Sequence, residues 1–542
     1  MGLRSYNKSS GPGRGRILPV SPEDRILQQR FETIARISEL GFERYPHKYE
    51  ATHTVTELRD VFDSYDGDKL EAEQPSTRIC GRLVTKRRQG KAGFANLKQG
   101  GVQIQIYVRR DEVSERDFEL YKLLDAGDVI GVSGRVFRTR TGELTVRAAE
   151  LAFLSKSVLP PPEKFHGLQD VEIRYRQRSL DLISNDSVRQ TFVTRDRIIR
   201  QLRTSLEQRG YIEVETPMMQ PVYGGALARP FQTHHNTLDV DLFLRVAPEL
   251  YLKRLTIGGL DRVYEINRNF RNEGLSKQHN PEFTMLEFYE AYSDYRALME
   301  FSAQLLKASA ESALDGGTVA EFGEHRIDFS SLERLTFPEV IAEYWPYKDS
   351  RPDVGDLADV GKIRELAAIH ERTAGDRIAL PEGISAGKAL LDLFEAACEQ
   401  LLIQPTVIYD YPVEASPLSK QKPEDPAWVE RFEIFCGGME IANGYSELND
   451  PLEQLGRFEE QAQARAAGDH EAHGIDEDYI RALCYGMPPA AGEGIGVDRL
   501  TMLLTNSPTI RDVILFPLLR PERDIGIAER LHRASDTTVP EA

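Results

Sequence analysis

Cysteine is scarce in this chain and scattered: Cys80, Cys398, Cys436 and Cys484 stand far apart, with no CxxC pair. That spacing argues against a disulfide framework and against a zinc cluster, and leaves the four as small buried hydrophobes. Long apolar runs are lacking too. None approaches the roughly 18 residues of a membrane-crossing helix, and the amino terminus MGLRSYNKSSGPGRGRILP has no secretory hydrophobic stretch. The expectation is a cytoplasmic protein with no membrane partner. Positive charge is in deficit, 68 Lys and Arg against 86 Asp and Glu for a net −18. Such a balance argues mildly against nucleic acid, which is bound largely by neutralising phosphates. Arg82, Lys86, Arg87, Arg88 and Lys91 nevertheless offer one basic face, unless they are simply a solvated charge run.

What is present is ordinary for a folded protein: 40% hydrophobic and 28% charged residues in 542, too many for one core, so two or more domains are expected. Residues 1–20 are rich in Gly, Ser, Pro and basic residues, as in a flexible tail. From Pro22 to about Leu40, apolar residues recur at helical spacing, within a helical segment assigned to 21–70. Between about 77 and 155 come five short β-type runs: RICGRLVTKRRQ, AGFANLKQ, VQIQIYV, DVIGVSGRVFRTR and ELTVRAAELAFL. Five such strands fit an open barrel of the oligonucleotide-binding type, and they also fit a sandwich.

Prolines at 160–162, then Lys164 and His166, mark a linker. A helical pattern runs from Val188 to Arg209, Gly210 ends it, and Tyr211 to Glu215 alternates as a strand before Pro217. Further on, VYEINRNF, MLEFYEAY, FEIFCGGMEIANGY and GEGIGVDRLTMLL read as strands of a large antiparallel sheet flanked by helices. No internal repeat is visible.

FRNEGLSKQHNPEFTMLEFYEAY gathers Arg271, Glu273, His279, Phe283, Glu287 and Tyr289. The planar fork of Arg271 suits a phosphate, with a surface salt bridge as the alternative. In GEGIGVDR, Gly492, Gly494 and Gly496 let backbone approach a flat ligand before Arg499, and no Gly-Lys-Ser/Thr follows to make a phosphate loop.

Together these stretches resemble class II aminoacyl-tRNA synthetases, and FRNEGLSKQHNPEFTMLE with GEGIGVDR and NSPTIRDVILFPLLRP resembles the bacterial lysyl branch in particular. RPFQTHHNTLDVDLFLRVAPELYLKRL and GGMEIANGYSELND are similar as well, so the resemblance covers all but the first twenty or so and last fifteen residues.

The resemblance implies an α+β class II catalytic domain on an antiparallel sheet over 188–525. A five-stranded anticodon-binding barrel would lie over 71–158, a linker over 159–187 and a polar tail over 526–542. It implies ATP-dependent charging of lysine tRNA with L-lysine through a lysyl-adenylate, with Mg2+ as cofactor, in a homodimer joined around Val188 to Pro217. Arg271 matches the arginine on the α-phosphate and Arg499 the one over adenine and the γ-phosphate. Phe283 would stack adenine, Glu273 would read its amino group and His279 would meet terminal phosphate. Glu433 and Glu440 correspond to the magnesium carboxylates, a hard-ion donor set; alone they would read as solvent-facing.

Gly225, Glu249, Glu287, Tyr289, Asn443, Tyr445 and Glu447 fall at lysine-pocket positions, and acidic groups suit an ammonium; core packing is the reading for Tyr292. Phe94, Gln105 and Glu143 fall at anticodon positions, where an aromatic stacks a base and an amide reads its edge; barrel core is the alternative for Phe94. Ala442 stands where many relatives have glycine. Rivals are modification of a protein lysine, disfavoured by the barrel, and an RNA-binding protein on a dead synthetase domain, disfavoured by Arg271, Arg499 and both magnesium carboxylates. A lipid-lysylating fusion would need transmembrane helices.

Overall fold

A computed structural model describes residues 22–161, 168–226, 228–416, 418–466, 474–521 and 526–536. The expected tail over 1–20, Lys164 and His166 of the linker, and residues 537–542 of the polar tail lie outside them. The chain divides into two compact units, Met1–Val171 with Ser179–Asp186 and Arg520–Ala542, and Glu172–Arg178 with Ser187–Leu519.

In the first unit the helix Pro22–Glu39 buries Leu27, Ile34 and Ile37 along one face. A closed barrel follows, built from β1 (Ser76–Gln89), β2 (Ala92–Gln99), β3 (Val102–Arg109), β4 (Val129–Arg138) and β5 (Leu144–Ser155) in the order β1-β2-β3-β5-β4. Alternation sets its inside and outside: Ile104, Ile106 and Val108 of β3 fill the core, while Gln103, Gln105 and Tyr107 face out. A helix that the sequence reading did not anticipate, Glu115–Leu123, enters between β3 and β4, capped by Ser114 and packed through Phe118, Leu120 and Tyr121.

That helix corrects the basic face. Lys86 Nζ donates to the carbonyls of Tyr121 and Lys122, each at 3.1 Å, and of Leu124. The cation therefore closes a helix C-terminus, where the dipole favours it. Arg82 donates to Gly127 O at 2.7 Å. Of the five basic residues, Arg87, Arg88 and Lys91 stay exposed.

The second unit carries β6 (Ile212–Glu213), β7 (Met219–Gln220), β8 (Gln232–His235), β9 (Val240–Leu244), β10 (Arg262–Phe270), β11 (Glu282–Ala291), β12 (Val319–Phe322), β13 (His325–Asp328), β14 (Glu333–Thr336), β15 (Thr406–Pro412), β16 (Trp428–Cys436), β17 (Met439–Ser446) and β18 (Ala490–Gly496). Eight of these make one sheet, in the order β14-β15-β16-β17-β18-β11-β10-β6. Its interior pairs are antiparallel, as expected, and parallel pairing occurs only at the two edges, β14 with β15 and β6 with β10.

One face of this sheet is apolar. Leu286 and Phe288 of β11, Phe432 and Ile434 of β16 and Ile495 of β18 pack with Ile198, Leu202 and Leu206 of the helix Asp186–Gln208 and with Leu298, Phe301 and Leu305 of the helix Tyr295–Ala313. Period-2 alternation then turns the intervening side chains onto the opposite face. Gly210, at φ +81°, ends the first of these helices as expected.

Two sequence readings change here. GEGIGVDRLTMLL is not one strand, because β18 stops at Gly496 and Val497–Leu504 is a helix whose buried Val497, Leu500, Thr501 and Leu504 recur at helical spacing. Tyr292 is no core residue, being 75% exposed with φ +60°. Ala442, for its part, belongs to the core cluster beneath the sheet.

Candidate active site

The polar face of the sheet is assembled around β11, whose Met285, Glu287 and Tyr289 pair directly with Gly496, Gly494 and Gly492 of β18. Of these glycines, Gly492 is a packing requirement, Gly494 is close to a flexible methionine, and Gly496 has room to spare. A Cβ at Gly492 would collide with the Tyr289 ring and with Glu447 Oε1, and one at Gly494 would come 2.9 Å from Met285 Cε. On the other side of β18, Asn443 and Tyr445 of β17 pair with Gly494 and Gly492. Side chains from both flanking strands thus rise around a floor that has none of its own.

A cavity of about 320 Å³ opens above that floor, lined by Gly225, Glu249, Arg271, Glu287, Tyr289, Asn443 and Tyr445 among others. Gly225 adopts φ +91°, with the place of a Cβ only 2.8 Å from Glu249 Cβ. Glycine is needed there on both counts. Burial, with Glu249 and Glu265 nearby, pushes the Glu287 carboxyl up to about 8, and burial holds the Tyr289 and Tyr445 hydroxyls protonated. Glu447 does not line the cavity; it lies behind Gly492.

A second cavity of about 210 Å³ adjoins the first, and Arg271, Met285, Glu440 and Gly494 line both. Its other walls include Glu273, His279, Phe283 and Arg499. The Arg271 guanidinium lies 5.1 Å from the Phe283 ring centroid, its Nε has no hydrogen-bond partner, and it forms no ion pair among the described residues. A half-buried guanidinium with no ion pair of its own is suited to receive an anion. Arg499, in the first turn of Val497–Leu504, donates to Glu440 O at 2.6 Å and approaches His279 Nε2 at 3.1 Å. His279 Nδ1 lies 2.8 Å from Ser276 Oγ. Burial, then the Arg499 charge, keeps this imidazole below its ordinary range, so its Nε2 accepts from Arg499.

Glu433 and Glu440 stand near the junction. Glu433 accepts from Tyr411 OH at 2.8 Å and pairs with Arg431, and burial, only partly offset by Arg431, pushes its carboxyl up to about 7. Two carboxylates form an all-oxygen donor set that fits a hard cation taking its other ligands from phosphate and water. Among the described residues no group of three or more ligands gathers for a metal.

Reasoning from sequence missed Arg431, whose Nε donates to Asn443 Oδ1 at 3.2 Å and Nη1 to Ser416 Oγ at 2.8 Å. It also missed Lys253, fully buried between Glu249 and Glu447. The signal for Lys253 was the i, i+4 spacing from Glu249 within APELYLKR.

On the barrel, Phe94 is 39% exposed and tilts against Tyr107 at 4.7 Å between centroids, so it is not barrel core. Tyr107 meets Phe137 at 6.3 Å, with Arg147 over Phe137 at 4.7 Å. Gln105 Oε1 accepts from Thr145 Oγ1 at 3.0 Å, and Glu143 pairs with Arg59 at 3.3 Å. The barrel thus shows an outward row of three rings flanked by arginine.

A sheet that sets a half-buried arginine, without an ion pair among the described residues, between two cavities, in one chain with a barrel that has an aromatic face, suits the binding of phosphate groups and of nucleic-acid bases. The profile described as "tRNA synthetases class II (D, K and N)" matches residues 170–520, and one described as "OB-fold nucleic acid binding domain" matches residues 77–154. The chain belongs to the class II tRNA synthetases of this D, K and N group. It is 51% identical over 499 residues to the lysine--tRNA ligase of Pelotomaculum thermopropionicum, covering 92% of this chain and 95% of that one. It is 48% identical over 499 residues to the heat-inducible lysine--tRNA ligase of Escherichia coli K12, covering 92% and 96%, and 47% identical over 502 residues to the lysine--tRNA ligase of Bacillus cytotoxicus, covering 92% and 98%.

Proposed function

We propose that the joined cavities activate L-lysine with ATP and that the barrel holds the anticodon of the tRNA receiving it. The chain is a lysine--tRNA ligase: it forms lysyl-adenylate, releases pyrophosphate, and passes lysine to its cognate tRNA with release of AMP. The observation that carries this reading is the position of Arg271. It is half-buried, forms no ion pair among the described residues, and is shared by the cavity rich in carboxylates and the cavity walled by Phe283 and Arg499.

Activation asks little covalent chemistry of the protein, because the lysine carboxylate is itself the nucleophile. What the protein supplies is alignment and charge. Arg271 spans the attacking carboxylate and the α-phosphate. Arg499, steered by Glu440 and His279, covers the adenine and reaches the γ-phosphate, with Phe283 on the other adenine face, Glu273 at its amino group and His279 near terminal phosphate. Glu433 and Glu440 would hold Mg2+, which when bound neutralises charge on the phosphate oxygens. Glu249, Glu287, Tyr289, Asn443, Tyr445 and Glu447 select lysine, with Gly225 beside its α-amino group.

On the barrel, Phe94 stacks an anticodon base and Gln105 reads an edge, with Glu143 as a third contact. The protein acts in the cytoplasm as a homodimer joined around residues 188–217. No helix among the described residues is long and apolar enough to cross a membrane.

The decisive test is exchange of labelled pyrophosphate into ATP, with Mg2+ and each of the twenty amino acids separately. Exchange with lysine alone is expected. Exchange with another amino acid overturns the pocket assignment, and none with any overturns the enzymatic reading. Sedimentation of a fully active monomer would sink the dimer.

A further inference from the structure

An ion trio is buried behind the carboxylate-rich end of the larger cavity, and of its three members Glu249 lines the cavity itself. Lys253, on the helix Glu249–Ile257 one turn beyond Glu249, is completely buried. Its Nζ lies 2.6 Å from Glu249 Oε1, contacts Glu447 Oε2, and stands 5.3 Å from the Tyr445 ring centroid. Burial alone would strip the proton from such an ammonium, but Glu249 and Glu447 outweigh it and hold Lys253 above its ordinary range. Glu447 keeps Oε1 without a hydrogen-bond partner, directly behind Gly492 in the cavity floor.

The charges at this end can be counted. Glu249, Glu287 and Glu447 are three carboxylates, and Lys253 is one ammonium. The other cations around the cavity have acids of their own, Arg431 with Glu433 and Arg457 with Glu453, and Arg271 faces the junction. When all three carboxyls are ionised, two negative charges are left over. Free lysine carries two ammonium groups, and its carboxylate goes to Arg271.

We propose that Lys253 is a positioning residue for amino-acid selection, fixing Glu249 and Glu447 and neutralising one carboxylate so that the cavity is matched to a ligand with two ammonium groups. The proposal rests on the lysine-pocket reading above. An amino acid with an uncharged tail would leave one carboxyl with no ammonium to ionise against, so it would forgo the ion pair that lysine gains. Without Lys253, by contrast, three carboxylates at and behind the cavity wall would stand against two ammonium groups.

The test compares Glu249→Gln with the double variant Glu249→Gln/Lys253→Met in the full chain, by lysine-dependent pyrophosphate exchange. The single variant leaves one net negative charge, and the double restores two. If charge matching governs selection, the second substitution rescues the first, lowering the lysine KM by about tenfold with the ATP KM unmoved. A double variant that binds lysine no better than the single overturns the proposal, since a merely structural Lys253 predicts additive damage.

Lys253→Met alone gives a second readout, because it removes the largest force that lowers the Glu447 carboxyl. Its lysine KM should rise about tenfold or more at neutral pH and recover as pH increases. The groups facing Glu447 are Lys253, Glu249, Tyr289, Tyr445 and Tyr479, and burial holds all three tyrosines too high to titrate there. A pH profile unchanged from the parent also defeats the proposal. If the parent itself does not exchange with lysine, the pocket reading has failed; if the parent exchanges and rescue is absent, only the role of Lys253 has.

Discussion

Tyr289 of β11 and Gly492 of β18 are direct partners in the sheet, and the tyrosine ring occupies the space that a side chain at 492 would need. Gly492→Ala therefore displaces Tyr289, Glu447 or both. Overpacking of this kind costs about 1–3 kcal/mol. The expected result is a lysine Kd raised about tenfold, with the proposed adenosine contacts at Phe283 and Arg499 intact and ATP affinity unchanged. Isothermal titration with each substrate measures the two separately, and equal losses would contradict the placement.

Glu287 supplies a pH prediction. Its carboxyl, raised by burial to about 8, is largely protonated in the free protein at neutral pH and must ionise to meet an ammonium. Lysine affinity should accordingly climb from pH 6 to about pH 8 and release protons to the buffer. Glu287→Gln should abolish that slope and weaken lysine binding by about 100-fold, while ATP binding stays within about threefold. Equal damage to both substrates would remove Glu287 from the amino-acid cavity.

A stability prediction concerns Glu493, which is buried on the floor strand, bonded to Ser302 and pushed up by burial to about 8. Its pKa is raised on folding, so the protonated form is the one the fold favours. The contribution is fully present below the unfolded value of 4.5 and is lost as pH rises through about 8. Glu493→Gln should flatten the decline in Tm between about pH 4.5 and about pH 8; an unchanged decline would show that this carboxyl is not its source.

Phe94→Ala should leave pyrophosphate exchange untouched and impair charging. Stacking one base on an aromatic is worth about 1–3 kcal/mol, so the KM for tRNA should rise about tenfold or more. An unchanged KM would remove Phe94 from the anticodon face and throw attention onto Tyr107 and Phe137.

Much of the fold is legible in the sequence because its signals are local. The run VQIQIYV forms β3 with Ile104 and Ile106 inside, as its alternation requires. The helix Glu115–Leu123 is hard to read because charged residues interrupt its apolar ones, and because nine residues between two clearly alternating strands pass easily for a loop. The end of β18 is ambiguous because LTMLL suits a buried strand as well as a buried helix, and only the surroundings decide.

The candidate site divides in the same way. Arg271, Glu273, His279 and Phe283 sit in one continuous stretch and can be gathered by eye. Arg431 stays hidden because its partners Ser416 and Asn443 come from other strands and loops. Lys86 misleads for the converse reason: a charge run shows where cations are, and not which carbonyls have already claimed them.

The bare floor of β18 has a consequence for how such an enzyme can diverge. Gly492, Gly494 and Gly496 contribute shape and no side-chain chemistry, whereas the residues proposed to recognise lysine, Glu287, Tyr289, Asn443 and Tyr445, stand on the flanking strands. A change of amino-acid preference can thus be written on β11 and β17 while the floor is left as it is. The strand on which packing fixes Gly492 is then the one that says least about which substrate is chosen.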